Sequence, residues 1–223
     1  MKKLLLSVVF SVLYVTSASA DMGVNVGVSG NAGLFAASAN ESFSDASTTS
    51  QGQNGSEHGS AGWASIMVEA TVGDKLMIGI DYVPQSLETD TTESARTDKT
   101  DVGDDTGTIV TNKVQIDLED LTTIYVGAKL TDNFYVKAGM MTVDVITNET
   151  LGTGGVYPNT ELDGTMFGLG YHVANDSGAF FRFEGNYLQF DAQTVTNSND
   201  TNKSIKLKNL DGVSGKITVG KSF

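Results

Sequence analysis

The sequence closes on Val213-Ser214-Gly215-Lys216-Ile217-Thr218-Val219-Gly220-Lys221-Ser222-Phe223, and two readings of this stretch lead to different folds. Gly215 to Ser222 matches the phosphate-cradling pattern G-x-x-x-x-G-K-[ST] at every specified position. That motif needs a strand, a glycine-rich loop and then a helix whose first N–H groups point at the phosphates. With Phe223 one residue after the serine, no such helix is expected. Read with a period of two, Val213, Gly215, Ile217, Val219, Lys221 and Phe223 share one face, and Ser214, Lys216, Thr218, Gly220 and Ser222 share the other. This is the pattern of a half-apolar strand.

At the other end, Met1-Lys2-Lys3 precedes the apolar run Leu4 to Val15 and then Ala18-Ser19-Ala20. A basic start, a short apolar run and an A-x-A site define an export signal over residues 1–20, too short to span a bilayer as a helix. Loss of Lys2 and Lys3 takes the formal charge from −13 to −15 in a mature chain expected to begin at Asp21. Nucleic acid, bound through clustered Lys and Arg, is therefore not an expected partner. The absence of cysteine excludes a disulfide scaffold and a thiolate metal site.

Alternation recurs along the rest of the chain. Val24, Val26 and Val28 form one apolar set, Ala64 to Val72 a second, and Leu76, Ile78, Ile80 and Tyr82 a third. A fourth is read as one unbroken parity through Val114, Ile116, Leu118, Ile124, Val126, Ala128 and Leu130, opposed by Gln115, Asp117, Glu119, Tyr125 and Lys129. Runs near Phe134–Met140, Phe167–Val173 and Phe181–Tyr187 follow, and the C-terminal run makes eight. The connections alternate in length: Gly73-Asp74, Thr131–Asn133 and Ala174–Gly178 are tight, whereas roughly 38–62, 84–112, 147–164 and 191–204 are long and polar. Eight antiparallel strands with short turns at one end and long loops at the other have the layout of an outer-membrane β-barrel spanning 21–223. Both termini would then lie at the short-turn, periplasmic end. A secreted β-sandwich also shows short alternating strands. Against it stand outward aromatics beside the short turns, Phe134, Tyr171, Phe181 and Phe223, where an interfacial girdle is expected. Glycines on the polar face (Gly79, Gly127, Gly139, Gly168, Gly170 and Gly220) would also leave a narrow interior room for longer side chains.

On these features the chain resembles the small eight-stranded outer-membrane barrels of the OmpA, OmpX and OmpW type over its whole mature length. In that family a terminal phenylalanine with apolar residues at alternate positions before it is read by the barrel-assembly machinery. The resemblance implies that role for Phe223, Val219 and Ile217, with Lys221 departing from the family preference for an apolar residue two before the end. With nothing after the last strand, no peptidoglycan-binding domain is expected.

Parity also assigns the interior. Inward acids are Glu69, Asp81 and Glu184, with Asp117 and Glu119 farther up; inward bases are Lys75, Lys129, Lys137, Arg182 and Lys216. Charges in so confined a space are costly unless paired. Their balance leads to an expected salt-bridge plug made of Glu69, Asp81, Lys129, Lys137, Arg182, Glu184 and Lys216. On the lipid-facing parity, Asp120, Asp144 and Asp191 each stand ten residues above the short-turn end of their strand, and Asp211 twelve. Ten tilted residues climb about 25 Å, the height of the apolar band. Either the strands simply turn polar on leaving the bilayer, or the four aspartates form a collar for lipopolysaccharide phosphates through bridging Mg²⁺ or Ca²⁺.

The loops read as solvated surface. The second, 84–112, carries seven acids against two bases, and its Asp98, Asp101, Asp104 and Asp105 lack the spacing of an EF-hand. His58 and His172 are the two histidines, and neither G-x-S-x-G nor H-E-x-x-H occurs. Three functions stay open. The first is a monomeric, cofactor-free, non-enzymatic surface protein that stabilises the outer membrane or presents loops to an external ligand. The second is a narrow channel for small or hydrophobic solutes, as in OmpW-like members, and the third is a lipid-modifying enzyme.

Overall fold

The computed structural model describes residues 22–43, 53–98, 108–152 and 155–223. Eleven strands follow one another: β1 (Met22–Phe43), β2 (Gln53–Val72), β3 (Leu76–Tyr82), β4 (Leu87–Glu88), β5 (Thr92–Asp98), β6 (Thr108–Lys129), β7 (Phe134–Thr150), β8 (Thr160–Ala174), β9 (Ala179–Phe190), β10 (Gln193–Thr196) and β11 (Lys203–Ser222). Antiparallel pairing runs β1-β2-β3-β6-β7-β8-β9-β11, and β11 returns to β1 from Asn25 opposite Ser222 to Phe43 opposite Lys203. The chain is thus an eight-stranded up-and-down antiparallel barrel in which each of these eight strands has two partners, whereas β4, β5 and β10 pair on one side only among the described residues. β4 and β5 continue the β3 stave along β6, and β10 continues the β9 stave along β11.

The short turns are set locally. Gly73 and Gly178 adopt φ of 59° and 82°, a region that favours glycine. Thr131 Oγ1 accepts the N–H of Phe134 at 3.0 Å, and Asn175 Oδ1 accepts those of Ser177 and Ala179, both at 3.1 Å. At the opposite end, strand pairing runs well into the stretches expected as loops: β1 and β2 stay paired out to Glu41 opposite Gln53, and β5 pairs with β6 out to Asp98 opposite Thr108. Once a register is established below, the backbone ladder propagates through Ser/Thr-rich sequence without needing an apolar face. The export signal, together with Asp101, Asp104 and Asp105, lies outside the described residues.

The expected unbroken parity of the fourth run does not hold. Between Glu119 and Thr122 of β6 the register shifts against Asp144 and Thr142 of β7, and Asp120 takes φ of 54°. One extra residue in a strand exchanges its two faces. Below the bulge Ile124 and Val126 face outward, as expected; above it Ile116 and Leu118 turn inward against the apolar core, while Asp117 and Glu119 turn outward. The physical reason is burial. Above the shift the inward side chains Ile116 and Leu118 join an apolar layer inside the barrel, where burial favours them, while the carboxylates take the outer face. A second shift, between Ser38 and Ala39 of β1 with Lys208 as the extra residue on β11, likewise turns Leu207 and Ile205 inward.

Inward glycines create room for rings. Tyr125 lies over Gly79 on the neighbouring stave so closely that an added Cβ would stand 2.5 Å from its Cζ. Tyr135 covers Gly170 in the same way. Gly79→Ala is therefore expected to destabilise the refolded barrel by about 1–3 kcal/mol through overpacking. Gly185→Ala, whose Cβ meets open space, is expected to stay within about 0.5 kcal/mol of the parent. Urea unfolding in lipid vesicles measures both, and equal effects would show that the ring is not held against the wall.

Candidate functional site

Facing residues divide the lumen into three layers. The lowest is ionic. Arg182 of β9 donates from both terminal guanidinium nitrogens to Glu69 of β2, at 2.8 and 2.6 Å, with the two residues 2 % and 1 % exposed. Glu69 also accepts from Asn25 Nδ2 at 2.8 Å and from the Tyr125 hydroxyl at 2.9 Å, so both carboxylate oxygens are fully engaged. Arg182 Nε donates to His172 Nδ1 at 3.0 Å, and the guanidinium carbon sits 4.9 Å from the Phe180 ring centre and 5.4 Å from that of Tyr135. Beside this pair, Glu184 accepts from Lys137 Nζ and from the Tyr135 hydroxyl, and Lys216 Nζ pairs with Asp81.

Each ion pair joins staves that are not neighbours. Three ring steps separate β9 from β2 and β11 from β3, and two separate β7 from β9. The pairs are struts across the lumen. Six of the seven residues expected in the interior network are thus brought together. The seventh, Lys129, is not: it lies at the short-turn mouth beside Lys75 and Asp132 and makes no ion pair with a described residue. The polar partners escaped sequence reading because only the register sets a glycine beside each of the Tyr125 and Tyr135 rings and places Asn25 opposite Glu69.

Above the ions lies an apolar layer of Tyr125, Met141, Val143, Val145, Leu162, Met166, Leu188 and Phe190, with Phe35 packed against it. The inward parity thus carries charge in its lower half and methionine, aromatics and branched aliphatics in its upper half. The third layer is a vestibule at the long-loop mouth, about 360 Å³, whose floor shares Val145, Leu162, Ile116 and Leu207 with the apolar layer. Part of its rim is built by Gly152, Val156 and Tyr157, whose N–H groups are taken by side-chain oxygens of Asn112 (3.0 Å), Asn197 (3.3 Å) and Glu149 respectively. Burial holds the Glu149 carboxyl above the ordinary carboxylate range, opposed by that Tyr157 N–H.

On the outer face, Phe134, Tyr171, Phe181 and Phe223 all stand exposed at the short-turn end, with the Phe134 and Tyr171 rings edge-on at 4.9 Å. Phe223 is locked to β1 by exchange of backbone hydrogen bonds with Val24, at 2.8 and 3.0 Å, and Val219 and Ile217 face outward on the same strand. The four aspartates stand in different settings on the upper outer wall. Asp120 accepts from Tyr82 at 2.5 Å and Asp211 from Tyr187 at 3.3 Å, Asp191 follows β9, and Asp144 sits between Glu119 and Glu161 in the ladder. Among the described residues no three His, Asp or Glu side chains converge on a metal-sized site. His58 is exposed on β2 opposite Ala36, far from the interior network.

The geometry defines a closed small β-barrel with a filled lumen. No family model and no curated protein sequence matches the chain. Among solved structures it is similar in fold to the outer membrane protein OprG from Pseudomonas aeruginosa, with a TM-score of 0.52 and 12 % identity over 90 % of this chain and 96 % of that one. Weaker likenesses are the outer membrane protease OmpT from Escherichia coli (TM-score 0.45, 8 % identity, 93 % and 99 % covered) and the attachment invasion locus protein Ail of Yersinia pestis (0.39, 8 %, 87 % and 99 %).

If the Glu69–Arg182 pair is the principal strut, Arg182→Met alone strands a buried carboxylate and is expected to cost about 3–5 kcal/mol. Arg182→Met with Glu69→Gln should recover most of that loss, because both charges leave together. A double-mutant cycle by urea unfolding measures the coupling, and additive losses would show that the pair is not coupled.

Proposed function

We propose that the chain is a non-enzymatic outer-membrane β-barrel of the bacterial cell surface, sealed along its lumen and acting through its long-loop end. Membrane residence is supported by the exposed apolar band around the ring. Val28 (62 %), Val126 (57 %), Phe167 (57 %) and Ile217 (53 %) face outward on four different staves. A soluble monomer rarely exposes so extensive an apolar surface, whereas lipid covers it and the aromatic end matches an interface. In this setting Phe223, Val219 and Ile217 would serve as the assembly signal, and lipopolysaccharide would contact the acidic upper wall.

The observation that carries the sealed reading is the set of three buried ion pairs between non-adjacent staves. An ion entering from below would have to part Arg182 from Glu69 and then shed its hydration in the apolar layer. A non-enzymatic role is supported by the engagement of His172 as an acceptor for Arg182, which leaves it no free nitrogen on that side to act as a base. A second reading, a path for small or hydrophobic solutes, is favoured by the vestibule, which is open to the loop end and floored by apolar side chains. On that reading a solute would leave upward or sideways, since the ionic layer lies beneath.

The two readings part in a planar bilayer. The mature chain, Asp21 to Phe223, is expected to give no resolvable single-channel current in physiological salt, while Arg182→Ala is expected to open it. Steady current through the parent would sink the sealed reading and make transport the function to pursue.

A further inference from the structure

The vestibule has a chemical bias that neither a sealed barrel nor an apolar path requires. Its volume, about 360 Å³, falls within the roughly 300–1,000 Å³ of small-molecule sites. Branched aliphatic side chains form its floor, and most of its polar lining is already used: Asn112 and Asn197 accept the N–H groups of Gly152 and Val156, and Gln193 donates to Thr160 at 3.0 Å. Lys203 lies 3.9 Å from Asp200. Glu149 differs. Its carboxylate projects from β7 into this apolar space and accepts the backbone N–H of Tyr157 on one oxygen; among the described residues it has no cationic partner.

A partly buried carboxylate with one neutral donor is electrostatically unfinished. The group that completes it is a cation carrying its own N–H donors, and the space beside it accepts an apolar body. From this we infer that the vestibule is a binding site for a small organic ammonium with a hydrophobic body, in which Glu149 receives the ammonium and the Val145–Leu162–Ile116 floor receives the alkyl or aryl part. The site is a dead end if the lumen is sealed, and it stands on the vestibule alone if the lumen conducts.

The direction of the Glu149 shift agrees with this assignment. Burial without a cation disfavours its charged form, so a bound ammonium would restore the charge and binding would fade as pH falls through the Glu149 titration. The other titratable groups lining the space are Glu41 on β1, Tyr157 and Lys203 on β11. The pH arm is therefore read against a Glu149 variant.

The experiment uses the mature barrel in lipid nanodiscs, with empty nanodiscs subtracted, and titrates phenethylammonium against its neutral analogue, phenethyl alcohol. Calorimetry gives affinity, and methyl NMR of Ile116 and Val145 gives location. We expect the ammonium to bind at least about tenfold more tightly than the alcohol, a difference of about 1.4 kcal/mol. Glu149→Gln keeps an acceptor for the Tyr157 N–H and should reduce the ammonium to the level of the alcohol, with alcohol binding unchanged as proof that the cavity is intact. Equal affinity for the two compounds in the parent would overturn the inference. So would a preference that survives Glu149→Gln, methyl shifts confined to the lipid-facing wall, or no binding of either compound. Single-channel current bears on the sealed lumen alone: a conducting barrel that kept the ammonium preference would end that reading and leave this site in place.

Discussion

The contact to which the rest of the interior is fitted is the Glu69–Arg182 pair. Eight staves enclose a lumen only wide enough for side chains, so a charge there has little water and must find its counter-charge across the barrel. Arg182 does so with a two-point grip, which fixes the plane of its guanidinium and hence the positions of the Phe180 and Tyr135 rings against it. Tyr135 then reaches Glu184, which holds Lys137, which in turn lies 4.9 Å from the centre of the Tyr125 ring; and Tyr125 returns to Glu69. The circuit closes on itself through four staves. Removing one member leaves the others buried and unmatched, which is why the layer is expected to respond as a unit.

Glycine is the complement of this network. Each ring in the circuit is large for an eight-stave lumen and is admitted because the residue beside it on the next stave has no side chain: Gly79 beside Tyr125, Gly170 beside Tyr135. The alternation of small with large around the wall converts a narrow tube into a packed core. The same logic places Gly168 beside Lys137, whose stem would meet an added Cβ.

Much of this was legible from period-two alternation, because facing in a barrel depends only on parity. Glu69, Asp81, Lys137, Arg182, Glu184 and Lys216 could be placed inside without knowing any partner. Who pairs with whom could not be read, since that depends on the stagger between staves, which no single strand encodes. The parity itself failed where an extra residue intervenes. Asp120 gives a faint sign, a residue type that tolerates a left-handed backbone within a polar gap between two apolar runs. Lys208 gives none. The vestibule was invisible in part for the same reason: Val114 and Ile116, which line it from β6 above the shift, were expected on the outer face.

The two bulges therefore matter to function as well as to shape. A strand that kept one parity along its full length would offer the upper lumen Asp117 and Glu119 and would send Ile116 and Leu118 outward above the band. By exchanging faces at their shifts, β6 and β11 both deliver apolar side chains to the mouth of the barrel, and β6 also turns the carboxylates Asp117 and Glu119 to its exterior. The outer wall gains the row Glu119, Asp144 and Glu161, whose like charges repel across the ladder. The mouth gains an apolar floor beneath Glu149. On the proposed sealed reading the upper lumen is a cup, apolar at its floor, in which Glu149 is the polar group that decides what it can hold.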